Sequence, residues 1–132
     1  MKLVRRVTIS VVLLVFLALL VAAACAAEVV QVGPPKNGKS VTLDRGDRLV
    51  VWLRGNATTG YAWSVKSVDK TVLKPLAVKY VPDPNPRHLV GSGGIYKLRF
   101  KAVAVGKTTL KLIYARGKDV GGSYKLRVVV TS

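Results

Sequence analysis

Cysteine and histidine are almost missing from this chain: among 132 residues each occurs once, as Cys25 and His88. A lone cysteine closes no intramolecular disulfide, so the fold has to stand on strand pairing and burial alone. A lone histidine, with no cysteine cluster beside it, offers no metal site. Carboxylates are scarce as well, six in all, and Asp44 and Asp47 share one tight turn while Glu28 stands far from the others. No acid pair of the kind that hydrolyses glycosides emerges from that set. His88 has no nucleophile-elbow serine to serve, and Gly91-Ser92-Gly93-Gly94 lacks the lysine and following helix of a phosphate loop. Internal repeats, heptads and low-complexity tracts are wanting too. These absences argue against catalysis: the chain reads as a binder, not an enzyme, and needs no cofactor.

What is present begins with Lys2, Arg5 and Arg6, followed by a run without charge from Val7 to Ala27 that ends in small residues. This is the layout of an export signal and not part of the fold. The run is also long enough to cross a bilayer, for which about 20 apolar residues suffice, so retention as an anchor is an alternative. Cys25, after Val21-Ala22-Ala23-Ala24, resembles the cysteine of a bacterial lipobox, with Ala22 where leucine is usual. It is the lipidation candidate. Every one of these fates puts the rest of the chain outside the cytoplasm, extracellular, periplasmic or at the cell surface. Residues 1–27 are read as a signal peptide, lipoprotein signal or membrane anchor, and residues 28–132 as one small domain.

The charge balance is one-sided. The chain carries +16, and without Lys2, Arg5 and Arg6 the domain still sets 19 basic against six acidic residues, a net +13. Such a surface steers toward acidic partners: a protein, an anionic glycan, lipid headgroups or nucleic acid. Charge does not choose among these, and nothing in the pattern marks specific nucleic-acid recognition.

From Glu28 onward no segment shows a 3.6-residue apolar period. Tyr96, Leu98, Phe100 and Ala102 alternate with Lys97, Arg99 and Lys101; Leu110, Leu112 and Tyr114 flank Lys111; Tyr124, Leu126, Val128 and Val130 alternate with Lys125 and Arg127. Alternation of this kind puts apolar side chains on one face of a half-buried strand. Earlier β-runs are Val29 to Val32, Ser40 to Leu43, Leu49 to Leu53, Tyr61 to Val65 and Val72 to Tyr80, with Tyr61, Trp63 and Phe100 expected in the core. Seven to eight short strands with glycines between them predict an all-β, immunoglobulin-like β-sandwich, a closed barrel being the variant. Val81 to Gly93, with three prolines and two glycines, reads as a long exposed loop. Asn37-Gly38 and Asp44 to Asp47 read as plain turns.

Between two β-runs lies Gly55-Asn56-Ala57-Thr58-Thr59-Gly60-Tyr61-Ala62-Trp63. Glycines at its ends admit conformations closed to other residues, and Asn56, Thr58 and Thr59 can bond their own backbone, so the segment can hold a fixed shape without burial. A stiff, presented loop points to recognition. Asn56-Ala57-Thr58 also spells a glycosylation acceptor, expected to stay unmodified because a glycan would sit in the contact.

These loops resemble those of the chagasin-type inhibitors of papain-like cysteine peptidases. The family shows Asn-Pro-Thr-Thr-Gly-Tyr-x-Trp, matched from Asn56 to Trp63 except at Ala57, and Gly-x-Gly-Gly before a strand, matched by Gly91, Ser92, Gly93 and Gly94. Its third loop begins Arg-Pro-Trp, where this sequence has Arg116-Gly117-Lys118. The resemblance implies a sandwich that projects three loops from one end into a papain-like peptidase. Asn56, Ala57, Thr58, Thr59 and Gly60 would enter the cleft, Gly91 to Gly94 would meet one rim, and Arg116 with Lys118 the other. Without the third-loop tryptophan, a favoured interface anchor, weaker or altered inhibition is expected, and Lys118 with Arg116 would engage an acidic rim in a salt-sensitive way. A monomer is expected, tethered to the membrane if residues 1–27 remain or Cys25 is lipidated. The competing reading is an exported β-sandwich adhesion or binding module for acidic surface polymers, in which the basic strand faces do the recognition; a structural envelope protein is the third.

Overall fold

The computed structural model describes residues 26–132 apart from Pro86. Cys25 and the apolar run before it lie outside the described residues. Eight strands follow in order: β1 Val29–Val32, β2 Ser40–Asp44, β3 Arg48–Gly55, β4 Ala62–Ser67, β5 Leu73–Pro82, β6 Gly94–Ala102, β7 Gly106–Arg116 and β8 Asp119–Thr131. They form two four-stranded sheets, β1-β3-β6-β5 and β2-β8-β7-β4. The β1–β3 and β2–β8 pairs are parallel and the others antiparallel.

Period-two patterning decides which side chains meet between the sheets. Tyr96, Leu98, Phe100 and Ala102 of β6 are buried, as are Leu110 and Leu112 of β7 and Tyr124, Leu126, Val128 and Val130 of β8. Leu49, Val51 and Leu53 of β3 and Leu43 of β2 complete the centre of one continuous core. Each fully buried leucine or phenylalanine contributes about 1.5–3 kcal/mol, which is how a domain without a disulfide holds together.

Prolines explain the place of β5. Pro75 and Pro82 cannot donate to a ladder, and β5 lies at a sheet edge with an irregularity between Pro75 and Val78. Pairing of Val81 with Ile95 and of Pro82 with Gly94 extends this strand further than the sequence suggested, shortening the exposed loop to residues 83–93. The turn after β2 also has a structural duty. The buried Asp47 carboxylate accepts hydrogen bonds from the backbone N–H of Glu28 and of Asp44, both at 2.9 Å, and so pins the start of β1 to the β2–β3 turn.

Register places three connections together. Gly55 at the end of β3 faces Gly94 at the start of β6, Pro82 faces the same Gly94, Ala62 faces Ala115, and Arg116 faces Asp119. The β3–β4, β5–β6 and β7–β8 connections therefore emerge from one end of the sandwich. Because β1 runs parallel to β3, with Val29 opposite Arg48, it begins at the other end.

Candidate functional site: three braced loops

The first loop is a built turn. Asn56 caps a single 3-10 turn, Ala57–Thr59: its side-chain oxygen accepts from the Thr58 N–H at 3.1 Å and from the Thr58 hydroxyl at 2.6 Å. The Thr59 hydroxyl donates to the Asn56 carbonyl at 2.6 Å. Gly60 ends the turn at φ 81, the left-handed region that glycine enters without a steric penalty. Ala57, Thr58, Thr59 and Gly60 are exposed and Asn56 half-buried. Ala57 holds the first helical position, where the N–H has no partner within the turn and proline is accepted. An Ala57→Pro variant is expected to gain about 0.5 kcal/mol through a stiffer unfolded chain, read as a higher unfolding temperature.

Contacts between loops fix the turn in place. The Asn56 side-chain amide donates to the Gly91 carbonyl at 2.7 Å, joining the first loop to the second. The Arg116 guanidinium donates to the Thr59 carbonyl at 3.3 Å, lies 4.9 Å from the Tyr61 ring centre and pairs with Asp119 at 3.6 Å, joining the first loop to the third. Tyr61 hydrogen-bonds Asp119 through its hydroxyl. That bond to the carboxylate is the main reason the Tyr61 phenol titrates above its ordinary range, so the brace stays intact at neutral pH and is lost only as pH rises through the raised value.

Beneath the loops is an aromatic floor that the sequence did not reveal. Tyr114 stacks on Trp63 at 5.2 Å and on Tyr61 at 5.3 Å, with Tyr96 edge-on at 6.5 Å. The Tyr114 hydroxyl accepts from the Asn56 N–H at 2.7 Å, and the Trp63 indole donates to the Arg54 carbonyl at 2.9 Å. Tyr61 and Trp63, expected in the core, are only half-buried and belong to this floor; Phe100 is buried as expected. A Tyr114→Phe variant keeps the stack and loses the bond to Asn56. The expected cost is about 1 kcal/mol of stability, measured by thermal unfolding.

The second loop is closed at its base by the Asp83 N–H to the Gly93 carbonyl at 3.0 Å and by an Arg54–Asp83 ion pair. Higher up, Asn85 both donates to the Leu89 carbonyl at 2.7 Å and accepts from the Leu89 N–H at 3.0 Å. Between that clamp and the Asn56–Gly91 bond, Leu89 and Val90 stand out, 63% and 101% exposed. Their only sequence signal was an apolar pair inside a proline- and glycine-rich loop. Ser92 and Gly93 are half-buried and Gly94 buried. A Cβ at Gly94 would lie 2.5 Å from the Val81 carbonyl oxygen, so only glycine fits there. Lys118 is exposed on the short third loop.

The arrangement presents three loops bonded to one another at one end of the sandwich. Among the described residues, no three of His, Cys, Asp and Glu come together as a metal site, and no buried side-chain polar atom lacks a partner. Fold and loops together fit a binding protein that presents its loops at one end of the sandwich. Residues 42–130 match the family described as Chagasin family peptidase inhibitor I42. The chain belongs to that family, one of inhibitors and not of enzymes.

Relatives agree with this. Amoebiasin-1 of Entamoeba histolytica is 31% identical over 80 residues, covering 61% of this chain and 76% of that protein. Amoebiasin-2 of the same organism is 36% identical over 76 residues, covering 57% of this chain and 60% of that protein. The crystal structure of a cysteine protease inhibitor from Entamoeba histolytica superposes with a TM-score of 0.70 at 26% identity, over 80% of this chain and 97% of that one.

Proposed function

We propose that this protein inhibits papain-like cysteine peptidases by lodging the Asn56–Gly60 turn in the active-site cleft, with the 83–93 loop on one rim and Arg116 and Lys118 on the other. The observation that carries this reading is the cross-bracing of the turn, to Gly91 on one side and to Arg116 on the other. A turn so fixed loses little entropy on binding. Its backbone is also held in a tight 3-10 turn, with the Thr59 N–H and Thr59 hydroxyl both on the Asn56 carbonyl, and cannot lie extended for cleavage. Arg116 acts as a brace, which leaves Lys118 to meet an acidic rim.

The protein works as a monomer outside the cytoplasm, with residues 1–27 serving for export and, through an uncleaved span or a lipid on Cys25, for tethering. The start of β1 at the end opposite the loops supports this, since a tether there leaves the loops facing away from their attachment. Both sheets and the core cluster lie within residues 29–131, so residues 28–132 are a suitable sample. Titrated against several papain-like peptidases, they are expected to inhibit competitively, at one inhibitor per enzyme and without being cut, while a serine peptidase keeps its rate. Full activity of every cysteine peptidase in the presence of folded domain would overturn the reading.

A further inference from the structure

Apart from Arg54, which braces the second loop through Asp83, the outer face of the β1-β3-β6-β5 sheet plays no part in the loops, yet its composition is unusual. Register places Arg48, Lys97, Arg99, Lys101, Lys74 and Lys79 on this face, opposite the buried set of each strand. Cations sit directly across from one another: Lys74 beside Lys101, Lys79 beside Lys97, and Arg48 beside Lys101. Like charges in such pairs destabilise a sheet, and no carboxylate shares those rows to relieve them. Amid the cations runs a groove of about 560 Å³, floored by Val50, Trp52, Leu76 and Ile95, with Val29 at its margin. The opposite sheet carries Lys107, Lys111, Lys125 and Arg127 among serines, threonines, Asp44, Ile113 and Val129, a basic surface without a tryptophan.

We propose that this face is a docking surface for the headgroups of anionic membrane lipid. Cations interleaved with half-buried apolar side chains and a half-buried tryptophan match an interface that is negative at its surface and apolar just beneath. Chain geometry favours the same occupant. Val29, 60% exposed, lies on this face, four positions after Cys25, a reach of at most about 14 Å. An anchor at or before Cys25 would therefore hold the basic face at high local concentration against the bilayer, while the loops project from the other end of the strands.

The test uses residues 28–132 with phosphatidylcholine vesicles, with and without phosphatidylglycerol. Sedimentation with the anionic vesicles only, weakened by salt, is expected, together with a blue shift of tryptophan emission that Trp52→Phe removes. Changing Arg48, Lys97 and Arg99 together to Gln should lower partitioning about a hundredfold, and Lys97→Gln or Arg99→Gln alone about fivefold. The matched triple change of Lys107, Lys111 and Lys125 to Gln should lower it only severalfold. Peptidase inhibition by the single variants should stay unchanged, which separates this surface from the loops. Equal binding to both vesicle types, equal loss in the two triple variants, or binding to soluble dextran sulfate with none to vesicles would overturn the proposal.

Discussion

Thr58→Glu is expected to raise the inhibition constant against a papain-like peptidase by at least about a hundredfold, or about 2.7 kcal/mol, with little change in unfolding temperature. Thr58 is exposed at the apex of the first loop, where its N–H and hydroxyl both donate to the Asn56 side chain. Glutamate removes the hydroxyl's bond and places a carboxylate in a cleft that excludes water, where an unpartnered charge costs several kcal/mol. In the free domain the same side chain points into solvent, so substitutions there shift stability by no more than about 0.5 kcal/mol. Thr58→Ser retains the hydroxyl and serves as the conservative control. A loss below tenfold in a folded Thr58→Glu domain would rule out a wedge at this position.

Joint replacement of Leu89 and Val90 by serine is the second large effect. Leu89 is 63% and Val90 101% exposed in the free fold, and the proposed contact with a peptidase rim would cover both. Burying each contributes about 1.5–2 kcal/mol at most, so the double variant should weaken inhibition by about thirtyfold or more. The loop itself is held by Asn85, Gly91 and the Asp83–Gly93 backbone bond, none of which uses these side chains, and stability should hold or rise slightly. In the proposed contact this pair would take over the anchoring expected of a third-loop tryptophan, which is Lys118 in this sequence. Unchanged inhibition by the double variant would place the second loop outside the contact.

The two surfaces divide the molecule sensibly. Loops at one end of the strands are internally bonded; the basic sheet face runs along the strands from Arg48 and Val29, at the end away from the loops, up to Ile95 beside Gly94.

Much of this was legible before folding. The alternation from Tyr96 to Ala102 announced a buried face and a basic one, because side-chain direction in a strand depends only on parity. The Asn56-to-Gly60 segment announced a self-bonded turn, because asparagine and threonine bond backbone groups two or three residues away. Both signals are local. The aromatic floor was not: Tyr114 reaches Asn56 across 58 positions, and only the pairing of β4 with β7 brings its ring against Trp63. The extension of β5 to Pro82 likewise waited on its partner β6, and the groove over Trp52 exists because β1, β3, β6 and β5 lie side by side. Residue order settles which way each side chain faces along its own strand; which strands become neighbours, and hence what each face can hold, is a matter of long-range pairing that no local period encodes.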